Sequence, residues 1–177
     1  MTTETPNSTG TESIRPATGE HTTNGTPHGV SAITPHIAVT DAARALDFYR
    51  DILGARILDV TEMGGIVAHA VLDFGNGQLT LGDAQPDYHL VAPDPAGDEV
   101  TYSLALYVPD ADAAFERAVA AGARVRAQPS TFVTGDRFAS IIDPFGVRWA
   151  LMTRVEDLSF EESTRRVAEW AASQSES

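Results

Sequence analysis

Residues 39–56 read VTDAARALDFYRDILGAR, and residues 108–124 read VPDADAAFERAVAAGAR. The two stretches follow one plan. A valine ends a strand-like run, an aspartate stands where a helix N-cap accepts backbone N–H groups, and Gly-Ala-Arg closes the segment. Between cap and glycine, Ala42, Ala45, Leu46, Tyr49, Ile52 and Leu53 recur at three- and four-residue spacing, the stripe of a helix lying on a sheet. In the second copy Ala111, Ala114, Phe115, Ala118 and Val119 do the same, and the helix is one residue shorter. Gly54 and Gly122, able to take positive φ, stop the two helices.

Working outward, each helix sits in the same succession of strands. Residues 33–39 precede the first helix, and 56–61, 66–74 and 78–81 follow it, with Gly64-Gly65 and Gly75-Asn76-Gly77 as turns. Residues 102–108 precede the second helix, and 124–127, 138–143 and 147–152 follow, the last two joined by Asp143-Pro144-Phe145-Gly146. The expectation is an α+β fold in which two tandem β-α-β-β-β modules, 30–83 and 101–153, build one domain over 30–155. Residues 84–100, rich in proline and acid, read as a linker or flap. Residues 156–177 carry a further helix at about 159–172, whose Phe160, Val167, Ala168 and Trp170 should pack against something.

Residues 1–29 differ in texture. They are Thr, Gly, Pro, Ser, Asn and Glu with one strong aliphatic, Ile14, and are expected to form a disordered tail. They show neither a basic start nor an apolar stretch, and no apolar run approaches the ~20 residues of a membrane helix, so a cytoplasmic protein is expected.

The 177 residues suit one domain. Lys plus Arg number 12 against 25 Asp plus Glu, a formal charge of −13. That balance argues against nucleic acid and anionic membranes as partners, because both are held by clustered cations. The chain has no cysteine, which excludes disulfides, thiolate metal sites and a cysteine nucleophile.

DAARALDFYRDILGARIL (41–58) resembles the first-helix signature of the vicinal oxygen chelate superfamily, which includes glyoxalase I, bleomycin-resistance proteins and extradiol dioxygenases. DPFGVRWAL (143–151) resembles its last-strand signature. TGDRFASIIDPFGVRWALMTRVEDLSFEE (134–162) is similar to the PhnB-like branch, with its Gly-Asp-Arg loop, Asp-Pro-Phe-Gly turn, tryptophan and acidic tail helix. The sequence departs from that branch at Ala139, where glycine is common, and at Val147, where histidine is common. The likeness spans roughly 33–170 and implies paired modules whose curved sheets form a cleft, usually in a homodimer.

Metal-using members of that superfamily hold a divalent ion through four side chains on the first and last strand of each module. The resemblance carries these positions to Thr34, Thr80, Ser103 and Ala150. Hydroxyls and a methyl group do not replace the roughly three imidazole or carboxylate ligands such an ion needs. A slip of one residue offers only Pro35, Leu79, Leu104 or Trp149, and a slip of two adds only His36. No cofactor is therefore expected, and a divalent metal would need a relocated site.

His36 alternates with Thr34 and faces the expected cleft, as a hydrogen-bonding or general-base imidazole or as a histidine satisfied by a backbone carbonyl. His69 could join it at a metal only with a carboxylate, Glu62 or Asp73. Tyr107 shares the face of Ser103 and Ala105 and offers a ring to stack on a ligand, or plain core. Arg148 alternates with Ala150 and suits a carboxylate or phosphate, or points to solvent. Arg137 reads as a loop brace paired with Asp136 or Asp143, Trp149 as core, and His89 as solvated. His21 and His28 carry no assignment. Met63-Gly64-Gly65 joins strands without opening a helix, so nucleotide binding has no support. A hydrolase triad from Ser103 and His36 lacks a nucleophile elbow.

The leading expectation is an organic small molecule bound in a metal-free cleft lined by Thr34, His36, Thr80, Ser103, Tyr107 and Arg148. Whether the chain is an enzyme stays open. The alternatives are a metal-dependent or His36-assisted lyase, isomerase or dioxygenase, and a non-catalytic module whose tail helix docks a partner.

Overall fold

The computed structural model describes residues 15–175. They divide between Thr34 and Pro35 into two units. In the first, β1 (Thr22–Thr23) pairs antiparallel with β2 (Thr26–Pro27). Asn24 and Gly25 both take positive φ, 48° and 82°, the mark of the tightest hairpin turn, for which Asn-Gly is the preferred pair. This hairpin lies within the stretch expected as a tail, where the polar composition hid a local turn signal. Residues 1–14 of that tail lie outside the described residues.

The second unit begins with β3 (His36–Val39), α1 (Ala42–Asp51), β4 (Arg56–Met63), β5 (Ile66–Asp73) and β6 (Gln78–Asp83). It repeats the plan with β7 (Leu104–Tyr107), α2 (Ala111–Ala120), β8 (Arg124–Thr131), β9 (Asp136–Ile142) and β10 (Arg148–Arg154). Helix α3 (Phe160–Ser175) follows. The sheets are curved and four-stranded, ordered β3-β6-β5-β4 and β7-β10-β9-β8. In each, the first strand pairs parallel with the last and the remaining pairs are antiparallel. The duplicated β-α-β-β-β plan is thus present in full.

Both caps form as expected. Asp41 accepts from the Arg44 N–H at 3.1 Å and Asp110 from the Ala113 N–H at 2.9 Å. Several strand limits differ from the sequence reading, among them the start of β3 at His36 in place of residue 33 and of β9 at Asp136 in place of residue 138. Strand β7 starts at Leu104, leaving Ser103 outside it. Strand β8 runs on through Pro129, which an edge strand with register shifts tolerates because no ladder donor is needed there.

One apolar core runs through both modules. Ile37, Val39, Leu79 and Leu81 point under α1 and are buried, so His36 and Thr80, alternating with them, occupy the opposite face. The seam between modules is aromatic. Phe48 and Tyr49 of α1 meet Phe145 edge-on at 6.0 and 6.2 Å, and Tyr49 meets Trp149 at 5.4 Å. Asp143 lies buried in that seam and accepts from the Tyr49 hydroxyl, the Trp149 indole N–H and the backbone N–H of Phe145 and Val147. Burial pushes its carboxyl above the usual range, and these four donors oppose the push. The segment between β6 and β7 is fastened: Asp98 pairs with Arg124 and Arg126, and Arg124 donates to the Pro95 carbonyl at 3.0 Å. Helix α3 packs through Trp170, whose ring stands edge-on to Phe132 at 5.1 Å. Among the described residues no helix is long and apolar enough to cross a membrane.

Candidate functional site

The parallel register sets His36 beside Thr80. The imidazole Nδ1 lies 2.9 Å from the Thr80 hydroxyl, which donates to the Pro35 carbonyl at 3.2 Å. His69, two strands away on β5, lays its ring within 6° of parallel to His36 at 6.0 Å. Burial, and then the charge His69 would carry, hold the His36 pKa below its ordinary value. His36 therefore stands as neutral imidazole at neutral pH. A threonine hydroxyl has one proton. In the tautomer that fits a hydroxyl proton given to Pro35, Nδ1 donates to Thr80 and Nε2 is the free base.

The carboxylates that could complete a metal site with these histidines are otherwise engaged or apart. Asp73 accepts from the Gly75 N–H at 2.7 Å and pairs with Arg56, which together hold it below the usual carboxylate range. Glu62 sits opposite Val67, while His69 sits opposite Thr61. Among the described residues no three of His, Cys, Asp and Glu are grouped to hold a metal ion. The positions carried over from the family fit one no better. Thr80 is bonded as described, Ser103 is an exposed hydroxyl ahead of β7, and Ala150 is a half-buried methyl on β10. Thr34 belongs to the first unit, where it donates to the Ser31 carbonyl at 3.2 Å, so it is not placed with the others.

On the second sheet Ala105, Tyr107, Arg148 and Ala150 share the face away from α2, as alternation requires. The structure adds two residues to it. Asp136, only 5% exposed, accepts from Arg154 Nε at 2.8 Å and from the Thr134 hydroxyl at 2.8 Å. The Tyr107 hydroxyl stands 3.5 Å from Asp136, too long for a firm O–H···O bond, and the residue is 58% exposed. The Arg137 brace takes another form than expected. Asp136 and Arg137 are neighbours on β9 and project to opposite faces, so they do not pair; Arg137 reaches Asp112 of α2 at 2.7 Å, and Asp143 is saturated elsewhere.

Arg148 donates from Nε to the buried Ser140 hydroxyl at 3.2 Å. With Arg15 and Arg117, it is one of three described arginines that make no ion pair. It borders a hollow of about 200 Å³ lined also by the segment between β6 and β7, with Asp94, Glu99 and Tyr102. Tyr107 borders different hollows. The structure thus brings together His36, His69 and Thr80 on one sheet. It sets Tyr107 beside Asp136 and Arg154 on the other, and places Arg148 near the start of β10. His89 is exposed, and Trp149 is core at 2% exposure.

The chain matches known proteins along this architecture. Residues 10–151 match the family model of the glyoxalase/bleomycin resistance protein/dioxygenase superfamily. An uncharacterised protein of Mycobacterium tuberculosis is 33% identical over 141 residues, which cover 74% of this chain and 79% of that protein. Among solved structures, TioX from Micromonospora sp. ML1 is 26% identical with a TM-score of 0.55, covering 73% of this chain and all of its own. A PhnB protein from Bacillus cereus, at 18% identity and a TM-score of 0.54, covers 70% of this chain and 99% of its own, and shares the fold. With the duplicated modules and a family match over most of its length, this chain belongs to the glyoxalase/bleomycin resistance protein/dioxygenase superfamily.

Proposed function

We propose that the protein binds an organic small molecule on the helix-free faces of its sheets without a metal ion. One observation carries this reading. Thr80, at a position where metal-using relatives present a ligand, has its hydroxyl tied to His36 and Pro35. A neutral hydroxyl so engaged offers no charge to a cation, and the His36 imidazole that it holds keeps Nε2 for an organic molecule.

The ligand in this reading is oriented by His36 Nε2, by the Tyr107 ring and by the guanidinium of Arg148, with Ser103 adding a hydroxyl and Thr80 holding the imidazole at the ligand's side. Arg148 favours a carboxylate or phosphate group, since its fork holds no carboxylate of its own. Against a chain charge of −13, such a group would be selected by local contact and not by long-range attraction. The same reading has the protein act in the cytoplasm as a homodimer, with the sheet edges at β3, β4, β7 and β8 available for pairing.

A screen of organic acids by thermal shift, with and without a chelator, tests the proposal. Stabilisation that survives the chelator and falls in Arg148→Ala and His36→Ala supports it. Stabilisation abolished by the chelator, or unchanged in both variants, contradicts it.

A second reading rests on the neutral imidazole of His36, which suits a general base in an enzyme of the same fold. It requires turnover that His36→Ala removes while ligand binding persists.

A further inference from the structure

We infer that the cavity between the two modules is a separate binding site for a neutral aromatic molecule with one hydrogen-bonding end, such as a phenol or an indole. The cavity holds about 420 Å³, within the range of small-molecule sites. It lies where Phe74 and the turn after it approach the free edge of β7, with Trp149 in its wall.

Its lining is the first argument. None of the residues bordering it is charged, although the chain carries 25 acidic residues and 12 basic ones. Other hollows differ: Asp110 and Arg117 border one of about 400 Å³, and Asp41, Glu62 and Asp83 border one of about 270 Å³. A charged ligand entering the charge-free cavity would lose its hydration and meet no counter-charge. An uncharged apolar one loses nothing comparable.

Its rigidity is the second. The Trp149 indole N–H is committed to Asp143 at 2.9 Å, and the ring is braced by Tyr49 at 5.4 Å and Phe74 at 6.0 Å. Trp149, only 2% exposed, therefore backs the cavity as a fixed wall, and the half-buried Phe74 ring packed on it is the aromatic surface offered to another ring. Leu104 and Leu106 supply aliphatic wall on β7.

Its mouth is the third. The Tyr107 hydroxyl, 3.5 Å from Asp136 and beside Arg154, stands at the rim, and the Asn76 amide is exposed there as well. Apolar depth with a polar rim suits an aromatic ring that carries a single hydroxyl or N–H. The site shares Tyr107 with the proposed function but needs neither His36 nor Arg148.

Calorimetric titration of the 177-residue chain with naphthol tests the inference. The indole N–H resonance of Trp149 is followed in parallel, in a Trp170→Phe background. Saturable binding at one molecule per chain with a shift of the Trp149 signal is expected. Tyr107→Phe should weaken binding about two- to tenfold, the loss of one hydrogen bond. Ala105→Trp, which fills the cavity from an exposed strand position, should abolish binding while the circular dichroism spectrum stays native. His36→Ala and Arg148→Ala should leave naphthol affinity unchanged, which separates this site from the proposed function. Absence of saturable binding, equal affinity for the naphthoate anion, indifference to Ala105→Trp, or naphthol affinity that falls as the protein self-associates would each overturn it.

Discussion

The Tyr49 hydroxyl of the first module donates to the Asp143 carboxylate of the second at 2.8 Å, in a seam closed to water. The bond joins residues far apart in sequence and makes the two modules answer for each other's stability. A carboxylate buried there depends on every donor it has.

Tyr49→Phe should therefore cost about 1–3 kcal/mol, because it removes a donor from a buried acceptor and leaves the ring in place. Urea denaturation followed by circular dichroism measures it. A loss within a few tenths of a kcal/mol would mean that the seam is held by its rings alone.

His36 should titrate below its ordinary value of 6.5, since burial and the neighbouring His69 both disfavour the imidazolium. The sign for stability follows. The folded state resists the proton that the unfolded chain accepts, so stability is retained above about 6.5 and declines as pH falls through that value. An NMR titration reads the pKa, and His69→Ala should raise it part of the way, burial being the larger cause.

Gly146→Ala should destabilise by at least about 1–2 kcal/mol, the cost of a left-handed conformation for a residue with a Cβ. The glycine sits at φ +88°, and an added Cβ would stand 2.9 Å from the Pro93 Cβ and 3.0 Å from the Asp94 carbonyl oxygen. The clash falls on the segment between the modules, so limited proteolysis near residues 91–98 should accelerate in the same variant.

Trp170→Ala should cost about 1 kcal/mol by removing the edge-on contact with Phe132 that seats α3. Chemical denaturation of the full chain reads the loss. An unchanged midpoint would free this helix for another partner.

Much of the fold was legible in the sequence because its signals are local. Asp41 and Asp110 cap helices where their position says they should, and the apolar stripes between cap and glycine show which side meets the sheet. Asn24-Gly25 was equally local, yet the polar composition around it obscured the turn. The site was legible only as a set of residues on strands. The pairing of His36 with Thr80 depends on a parallel register between strands 44 residues apart, and no short-range spacing fixes that. Asp136 and Arg137 turn on a strand limit. The sequence reading began their strand at Phe138 and left a mutual pair open; the strand in fact begins at Asp136, so the two alternate, and cross-strand register gives Asp136 to Arg154. Asp143 was readable as a turn residue, but its burial required Tyr49 to arrive from the other module.

The central claim is that organic contacts, and no metal ion, define this site. Elemental analysis of the protein after loading with nickel, zinc, manganese and ferrous iron and exhaustive desalting tests it most directly. The account predicts retained metal far below one ion per chain for all four. Near-stoichiometric retention of any of them, lost in His36→Ala, would contradict it and point to a metal held by His36 and His69.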